Sequence, residues 1–174
     1  MINSISSQHY AVQQVRNNTN KVEQISADNT QETKAIVHYD TRKYAVSFIE
    51  NASPEELTAK VDSLIGRMPS MAAINLNEIM NADNGFEIAE RINRLQEPLK
   101  QAHQNVLNLE QDLISQGRAK GKSDKEILMS IVQMQDEQSD LFKMSMNWGT
   151  KGLTSPDNYA KLVEYTPNYV NYYA

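Results

Sequence analysis

The amino-acid sequence predicts a mainly α-helical protein: an antiparallel helical hairpin or small helical bundle, with a small β-hairpin near the N-terminal side and a disordered N-terminal tail. Over residues 88–113, apolar residues recur at alternating intervals of four and three, which is typical of helices packed at a shallow angle. Ser53 and Ser123 each precede a glutamate by three residues, the capping-box pattern of a helix start. We therefore divide the chain into a flexible segment, 1–33, and one mainly helical domain, 34–174.

The N-terminal segment is rich in Ser, Asn, Gln and Thr and poor in apolar residues. Such a composition buries too little surface to offset chain entropy, so we expect the segment to be mobile. It is either a plain polar tail, or an uncleaved secretion signal or partner-binding segment. Because it lacks the apolar stretch of a Sec signal, we expect the protein in the bacterial cytoplasm, or secreted without a cleaved signal.

The β-hairpin is predicted over residues 35–50. Two runs rich in β-branched and aromatic residues, 35–39 and 44–49, flank the polar stretch 40–43, as in a hairpin with a short turn. A lone hairpin is marginal in water, so this one is expected to pack on helices or on a partner.

The first helix is predicted over residues 54–67, with Pro54 at its first position and Pro69 beyond its end. A short helical piece is expected over 74–80. A long helix follows over 85–116, and it carries the heptad pattern. Pro98 lies inside that pattern and is expected either to kink the helix or to divide it in two at Glu97.

The next helix is predicted over residues 124–148, and the short loop before it implies that it runs antiparallel to the long helix. Its apolar stripe is interrupted by Gln138 and Ser145, which suggests a contact beyond the preceding helix. Its methionines are either core residues or an adaptable binding surface. A last helix, 156–164, precedes a tyrosine-rich tail that either packs back on the domain or forms an interface.

Composition and motifs argue against a catalytic, metal-binding or nucleic-acid-binding function. The net charge is −5 and there is no cysteine, which disfavours nucleic-acid binding and excludes disulfides and thiolate zinc sites. Residues 117–123 look like a phosphate-binding loop, but three residues separate the glycines instead of four. The histidines and carboxylates show no metal-site or acid–base spacing. We expect no catalytic residue, no cofactor, no metal, no small-molecule ligand and no membrane span.

The polar N-terminus and the C-terminal amphipathic helix resemble the small secreted structural proteins of type III secretion systems, the inner-rod, needle and filament subunits. Leu128, Met134, Gln135, Gln138 and Leu141 carry this resemblance. It implies helical assembly through that helix and an uncleaved export signal. The chain is longer than a typical rod or needle subunit, and the predicted hairpin and the tyrosine tail have no counterpart there.

The sequence therefore predicts a non-enzymatic structural or interaction protein of a bacterial secretion or assembly apparatus, with a protein partner or self-assembly. A secreted effector or toxin-like domain is the alternative, and convergent buried polar residues in a pocket would favour it. A phage structural or regulatory protein is a third possibility. The predicted partner-binding residues are Met134, Gln138, Leu141, Met144, Trp148, Tyr165, Tyr169 and Tyr172.

Overall fold

A computed structural model describes residues 39–167, and this part of the chain is helical and contains no β-strand. The mainly α-helical class is therefore confirmed for the described residues, while the predictions for residues 1–33 lie outside them. The helices are α1 Thr41–Asn51, α2 Pro54–Leu64, α3 Leu76–Asn81, α4 Gly85–Arg94, α5 Gln96–Ala119, α6 Asp124–Asp136, α7 Asp140–Met146 and α8 Tyr159–Tyr165, with a 3₁₀ turn at Pro156–Asn158.

The predicted β-hairpin, 35–50, is wrong over its described part, because α1 occupies most of that range. Asp40 caps α1 by accepting a hydrogen bond from the backbone amide of Lys43 at 3.1 Å. The same carboxylate accepts a hydrogen bond from the backbone amide of Gly149, also at 3.1 Å. Ile49 is buried in a core that α1 shares with α6. Packing of an apolar helix face on α6 thus overrides the strand preference of β-branched and aromatic residues.

The long helix predicted over 85–116 is two helices that meet at Leu95. This residue is both the C-cap of α4 and the N-cap of α5. Pro98 is the third residue of α5, where helix amides have no intrahelical partner, so its missing N–H costs nothing. The helix is therefore divided at Leu95 and is not kinked at Pro98. The alternative prediction, a division at Glu97, is two residues away from the observed one.

Helices α5 and α6 pack against each other and run antiparallel. Glu110 accepts a hydrogen bond from Gln135 at 2.7 Å, while Gly117, later in α5, lies against Ile127, earlier in α6. A Cβ on Gly117 would be 2.6 Å from Cγ1 of Ile127, so this close approach requires glycine. The predicted heptad line does not continue along α5, because Leu109 is exposed and the buried line passes through Glu110 instead.

The helix predicted over 124–148 is also divided, into α6 and α7. Ser139 begins α7 by accepting a hydrogen bond from the amide of Phe142 at 3.3 Å, and Gln138 lies in the connection. Asn147 ends α7 in the left-handed conformation, with φ 53°. Because Ser139 caps a new helix start, the helix is interrupted there. The spacing of apolar residues nevertheless continues across the interruption.

The remaining predicted helices are confirmed with shifted ends. Helix α2 stops at Leu64, before the left-handed Gly66, instead of at residue 67. The short piece predicted over 74–80 is α3, and the helix predicted over 156–164 is the 3₁₀ turn followed by α8. Both capping boxes, at Ser53 and Ser123, form as predicted.

Two apolar cores lie within the described residues. The first joins α1, α2 and α6 to the end of α5, and the second joins α4, the start of α5, α7 and α8. The buried members of the first are Ile49, Leu57, Val61, Ile114, Ile127, Leu128, Ile131, Val132 and Trp148. Those of the second are Ile88, Ile92, Leu95, Leu99, Leu141, Met144, Leu153 and Leu162.

Candidate binding groove

A groove opens between α1 and α2, over α6. The two helices are joined only by Ala52 and Ser53, and both pack on α6. The cavity between them has a volume of about 420 Å³, within the range of protein binding sites. Its apolar lining is Tyr44, Ala45, Phe48, Ile49, Leu64, Leu128, Ile131, Val132, Met146 and Trp148.

The α1 wall is held by polar contacts at its N-terminal end. Arg42 donates two hydrogen bonds to the carboxylate of Asp136, at 2.6 and 2.8 Å, and the indole N–H of Trp148 donates to the same carboxylate at 2.8 Å. The hydroxyl of Thr41 donates to the carbonyl oxygen of Met146 at 2.7 Å. Hydrogen bonding from Arg42 is the main reason that the pKa of Asp136 is lowered, with Trp148 adding to it against the effect of burial.

The α2 wall is held at both of its ends. At its start, the Ser53 amide donates to the Glu56 carboxylate at 2.7 Å, and Thr58 donates to Asp124 on α6 at 2.6 Å. At its end, the side-chain amide of Gln111 on α5 donates to the carbonyl oxygen of Leu64 at 2.8 Å. Because both walls are fixed by side chains, the groove is preformed.

The inner end of the groove is polar. The Glu110 side chain is 1% exposed, and its carboxylate accepts hydrogen bonds from Arg67 at 2.5 Å and from Gln135 at 2.7 Å. Arg67 also donates to the hydroxyl of Ser70 at 2.9 Å. A buried carboxylate is costly unless it is paired and hydrogen-bonded, and Glu110 has both kinds of partner.

A second set of buried polar groups continues from Ser70. The Nδ1 atom of His103 contacts the carbonyl oxygen of Ser70 and therefore carries a proton, while Nε2 lies 2.7 Å from the hydroxyl oxygen of Ser145. That hydroxyl also lies 2.7 Å from the Phe142 carbonyl oxygen. A serine beside a histidine can be a nucleophile and its base. Ser145 is 0% exposed, however, and the adjoining cavity of about 10 Å³ holds roughly one water.

The rim of the groove is aromatic on one side and basic on the other. Tyr44 is exposed, and its ring centroid lies 5.7 Å from that of Tyr39. Lys60, on α2, also lines the groove, and no carboxylate of the described residues lies within 4.0 Å of its amine. Arg67 is neutralised by Glu110, so Lys60 gives the lining a net positive charge.

The predicted partner-binding residues are distributed over both cores instead of forming one surface. Met134 and Gln138 are half-buried, and the Gln138 amide donates to the Met134 carbonyl oxygen at 2.8 Å. Partner binding by these residues stays a prediction. Of the others, Leu141 and Met144 are buried in the second core, Trp148 lies in the first core and lines the groove, Tyr165 is partly exposed, and Tyr169 and Tyr172 lie outside the described residues.

Sequence reasoning missed the residues that shape the groove. The sequence prediction places Phe48 in a strand, although a helical interpretation of the same run places Ala45 and Phe48 on neighbouring turns. The apolar pattern predicted over residues 88–113 does not include Glu110. Its apolar neighbours one turn away on each side, Val106 and Ile114, were the available signal that its side chain is buried.

Other kinds of site are not found in the described residues. No group of three or more histidine or carboxylate side chains is arranged there to hold a metal ion. In the same range, no helix is both long and apolar enough to cross a membrane.

Comparison with known proteins adds no family to this description. No family model matches the chain, and no curated protein or solved structure is significantly similar to it.

Proposed function

We propose that this protein is a non-enzymatic interaction protein whose groove receives an amphipathic helix of a partner protein. The observation that carries the proposal is the preformed apolar groove between α1 and α2. Grooves walled by helices accept the apolar face of another helix, whose side chains enter at positions i, i+3, i+4 and i+7. Exposed Tyr44 at the rim adds an aromatic contact of the kind that interfaces favour.

The charge of the groove specifies the partner further. Lys60 is the uncompensated charge of the lining, so the partner helix is expected to carry an acidic residue beside its apolar face. The amide of Gln135 and the hydroxyl of Ser63 also line the groove and offer hydrogen bonds to that helix. The resemblance to type III secretion subunits suggests where such a partner is found. Our hypothesis is that it belongs to a bacterial secretion or assembly apparatus.

A display selection of helical peptides tests the groove directly. A library of amphipathic helices is selected against the full chain, and the enriched peptides are measured by fluorescence anisotropy. Ala45→Trp places a large side chain in the groove and is expected to weaken binding at least tenfold. Ser47→Trp puts the same side chain on an exposed position of α1 that is not among the lining residues, and it is expected to leave binding unchanged.

Charge reversal supplies an independent readout. Enriched peptides are expected to carry an acidic residue next to the apolar face and to lose affinity for Lys60→Glu. Circular dichroism of each variant shows whether the helical content is retained. The proposal is overturned if no amphipathic peptide is enriched, or if the enriched peptides bind Ala45→Trp as tightly as the unaltered chain.

The second candidate is the effector or toxin-like domain, and the buried polar residues beside the groove favour it. A Ser145 nucleophile with His103 as base would be the chemistry to test. We favour the interaction role, because Ser145 is enclosed and its hydroxyl is within hydrogen-bonding distance of both His103 and the Phe142 carbonyl oxygen. A fluorophosphonate probe followed by intact-mass measurement decides between them: an adduct lost in Ser145→Ala supports the effector, whereas no adduct supports the interaction protein.

A further inference from the structure

The floor of the groove is apolar except at one position. Helix α6 supplies the floor with residues three and four apart, which share one face of the helix: Leu128, Ile131, Val132 and Gln135. The first three are apolar and buried, whereas Gln135 is polar and half-buried. A polar side chain on an apolar contact surface weakens binding unless the partner forms a hydrogen bond with it.

The orientation of the Gln135 side-chain amide is fixed from below. Its Nε2 atom donates to the Glu110 carboxylate at 2.7 Å, and the Glu110 side chain is 1% exposed. Because a carboxylate accepts hydrogen bonds and cannot donate them, the nitrogen of the Gln135 amide must face it. Arg67 donates to the other oxygen of Glu110 at 2.5 Å, so the carboxylate is itself held in place.

This arrangement leaves the amide oxygen of Gln135, Oε1, as an acceptor for a ligand. Oε1 is not one of the enclosed polar atoms that lack a partner, and no group of the described residues donates to it. Since Gln135 lines the groove, a side chain that enters over the end of α6 meets an acceptor there. The floor therefore calls for a hydrogen-bond donor at this position.

The charges around Gln135 favour a neutral donor. Lys60 and Arg67 line the groove together with one carboxylate, that of Glu110, so the lining is positive. It repels a lysine or arginine of the partner but not an amide or a hydroxyl. Among the neutral donors, asparagine is close to leucine in size, so it can take the place of an apolar side chain in the groove.

We infer that Gln135 is the specificity-determining residue of the groove, and that it selects a partner helix with a neutral hydrogen-bond donor among its apolar anchors. This inference rests on the proposed function and adds a polar anchor to the partner. A leucine at that anchor would bury Oε1 of Gln135 without a donor, and sites built for a hydrogen bond discriminate strongly against such a ligand. One polar pair in an apolar contact also fixes the register of two helices.

Two parallel peptide selections test this inference. A library of amphipathic helices, with leucine or asparagine at each of the anchors i, i+3, i+4 and i+7, is selected against the full chain and against Gln135→Met. Peptides selected on the unaltered chain are expected to carry one asparagine, and those selected on Gln135→Met to carry leucine at every anchor. Gln133→Met is the matched control: Gln133 is exposed on α6 and does not line the groove, so it is expected to select the same peptides as the unaltered chain.

Affinities of a matched peptide pair separate specificity from structural support. The two peptides differ only in asparagine or leucine at the selected anchor and are measured by fluorescence anisotropy. The unaltered chain is expected to bind the asparagine peptide at least tenfold more tightly, and Gln135→Met to lose that preference. If Gln135 served only to hold Glu110, its replacement would weaken both peptides alike and leave the ratio of their dissociation constants unchanged.

The outcomes distinguish this inference from the proposed function. Selected peptides with only apolar anchors overturn the inference alone, as does an affinity ratio that is the same for Gln135→Met and the unaltered chain. If no amphipathic peptide is enriched on either chain, the proposed function is overturned and this inference with it.

Discussion

Replacing Gly117 by alanine is expected to destabilise the protein, although alanine is the better helix former. Gly117 lies inside α5, where it faces α6. An added Cβ would be 2.6 Å from Cγ1 and 3.0 Å from Cδ1 of Ile127. Ordinary carbon–carbon contacts lie at about 3.5–4.0 Å, so either Ile127 or one of the two helices must move.

The magnitude follows from two opposed effects. Replacing glycine by alanine in a helix interior gains about 1 kcal/mol, whereas overpacking a core costs about 1–3 kcal/mol. Ile127 is 1% exposed in the first core and has no open direction in which to shift, so the upper part of that range applies. The expected net loss is about 1–2 kcal/mol, or a fall of about 2–8 °C in Tm for a chain of about this size.

Urea unfolding followed by tryptophan fluorescence measures this loss. The chain has one tryptophan, Trp148, which is buried in the same core as Ile127 and therefore reports on it. Ser115→Gly and Ser115→Ala, at an exposed position of α5, measure the helix-propensity gain where no steric contact opposes it.

A double-mutant cycle isolates the contact. Ile127→Ala removes the atoms that the new Cβ would meet, so in that background Gly117→Ala is expected to stabilise the protein by about 1 kcal/mol. The reasoning is refuted if Gly117→Ala raises the unfolding free energy in both backgrounds, because glycine would then not be needed for the close approach of α5 and α6.

Three further substitutions test polar contacts. The pKa of Asp136 is lowered mainly by the hydrogen bond from Arg42, so its stabilisation is present above the unfolded value of about 3.9 and is lost as the pH falls through the folded value. Asp136→Asn is therefore expected to cost most at pH 7, with the difference from the unaltered chain shrinking below about pH 4 in urea titrations; a pH-independent difference would contradict this. Glu110→Leu leaves the guanidinium of Arg67, whose side chain is 26% exposed, without its carboxylate, and thermal unfolding is expected to show a loss of about 2–3 kcal/mol that Arg67→Met partly restores. Ser123→Ala removes a capping box and is expected to cost about 1 kcal/mol in urea unfolding, while an unchanged midpoint would deny the cap a role.

Local sequence was sufficient wherever a helix start depends on residues within one turn. Ser53 and Ser123 each supply both halves of a capping box, and both predicted starts are confirmed. The cap at Ser139 is equally local, but the uninterrupted spacing of apolar residues on its two sides concealed it. Periodicity reports which face is buried and does not require the backbone to be continuous.

Residues 39–50, wrongly predicted as part of a β-hairpin, show that neighbouring residues are not always sufficient. The β-branched and aromatic residues among them fit a strand by propensity, and the partner that makes α1 a helix is remote in sequence. The Asp40 carboxylate accepts from the Gly149 amide, and Arg42 pairs with Asp136. A short segment takes the conformation that its tertiary contacts stabilise, because those contacts outweigh fractions of a kilocalorie of intrinsic preference.

The sequence by itself determined the helical class, the two capped helix starts and the apolar residues available for burial, because these depend on composition, spacing and neighbouring residues. Tertiary structure alone decided that Glu110 is buried beside Arg67, that α1 and α2 leave a groove over α6, and that Met71 and Phe86 are exposed. Each of these depends on contacts between residues far apart in the chain. Whether an apolar or charged side chain is covered is a property of the packed fold, and hydrophobic pattern cannot distinguish a core residue from an interface residue.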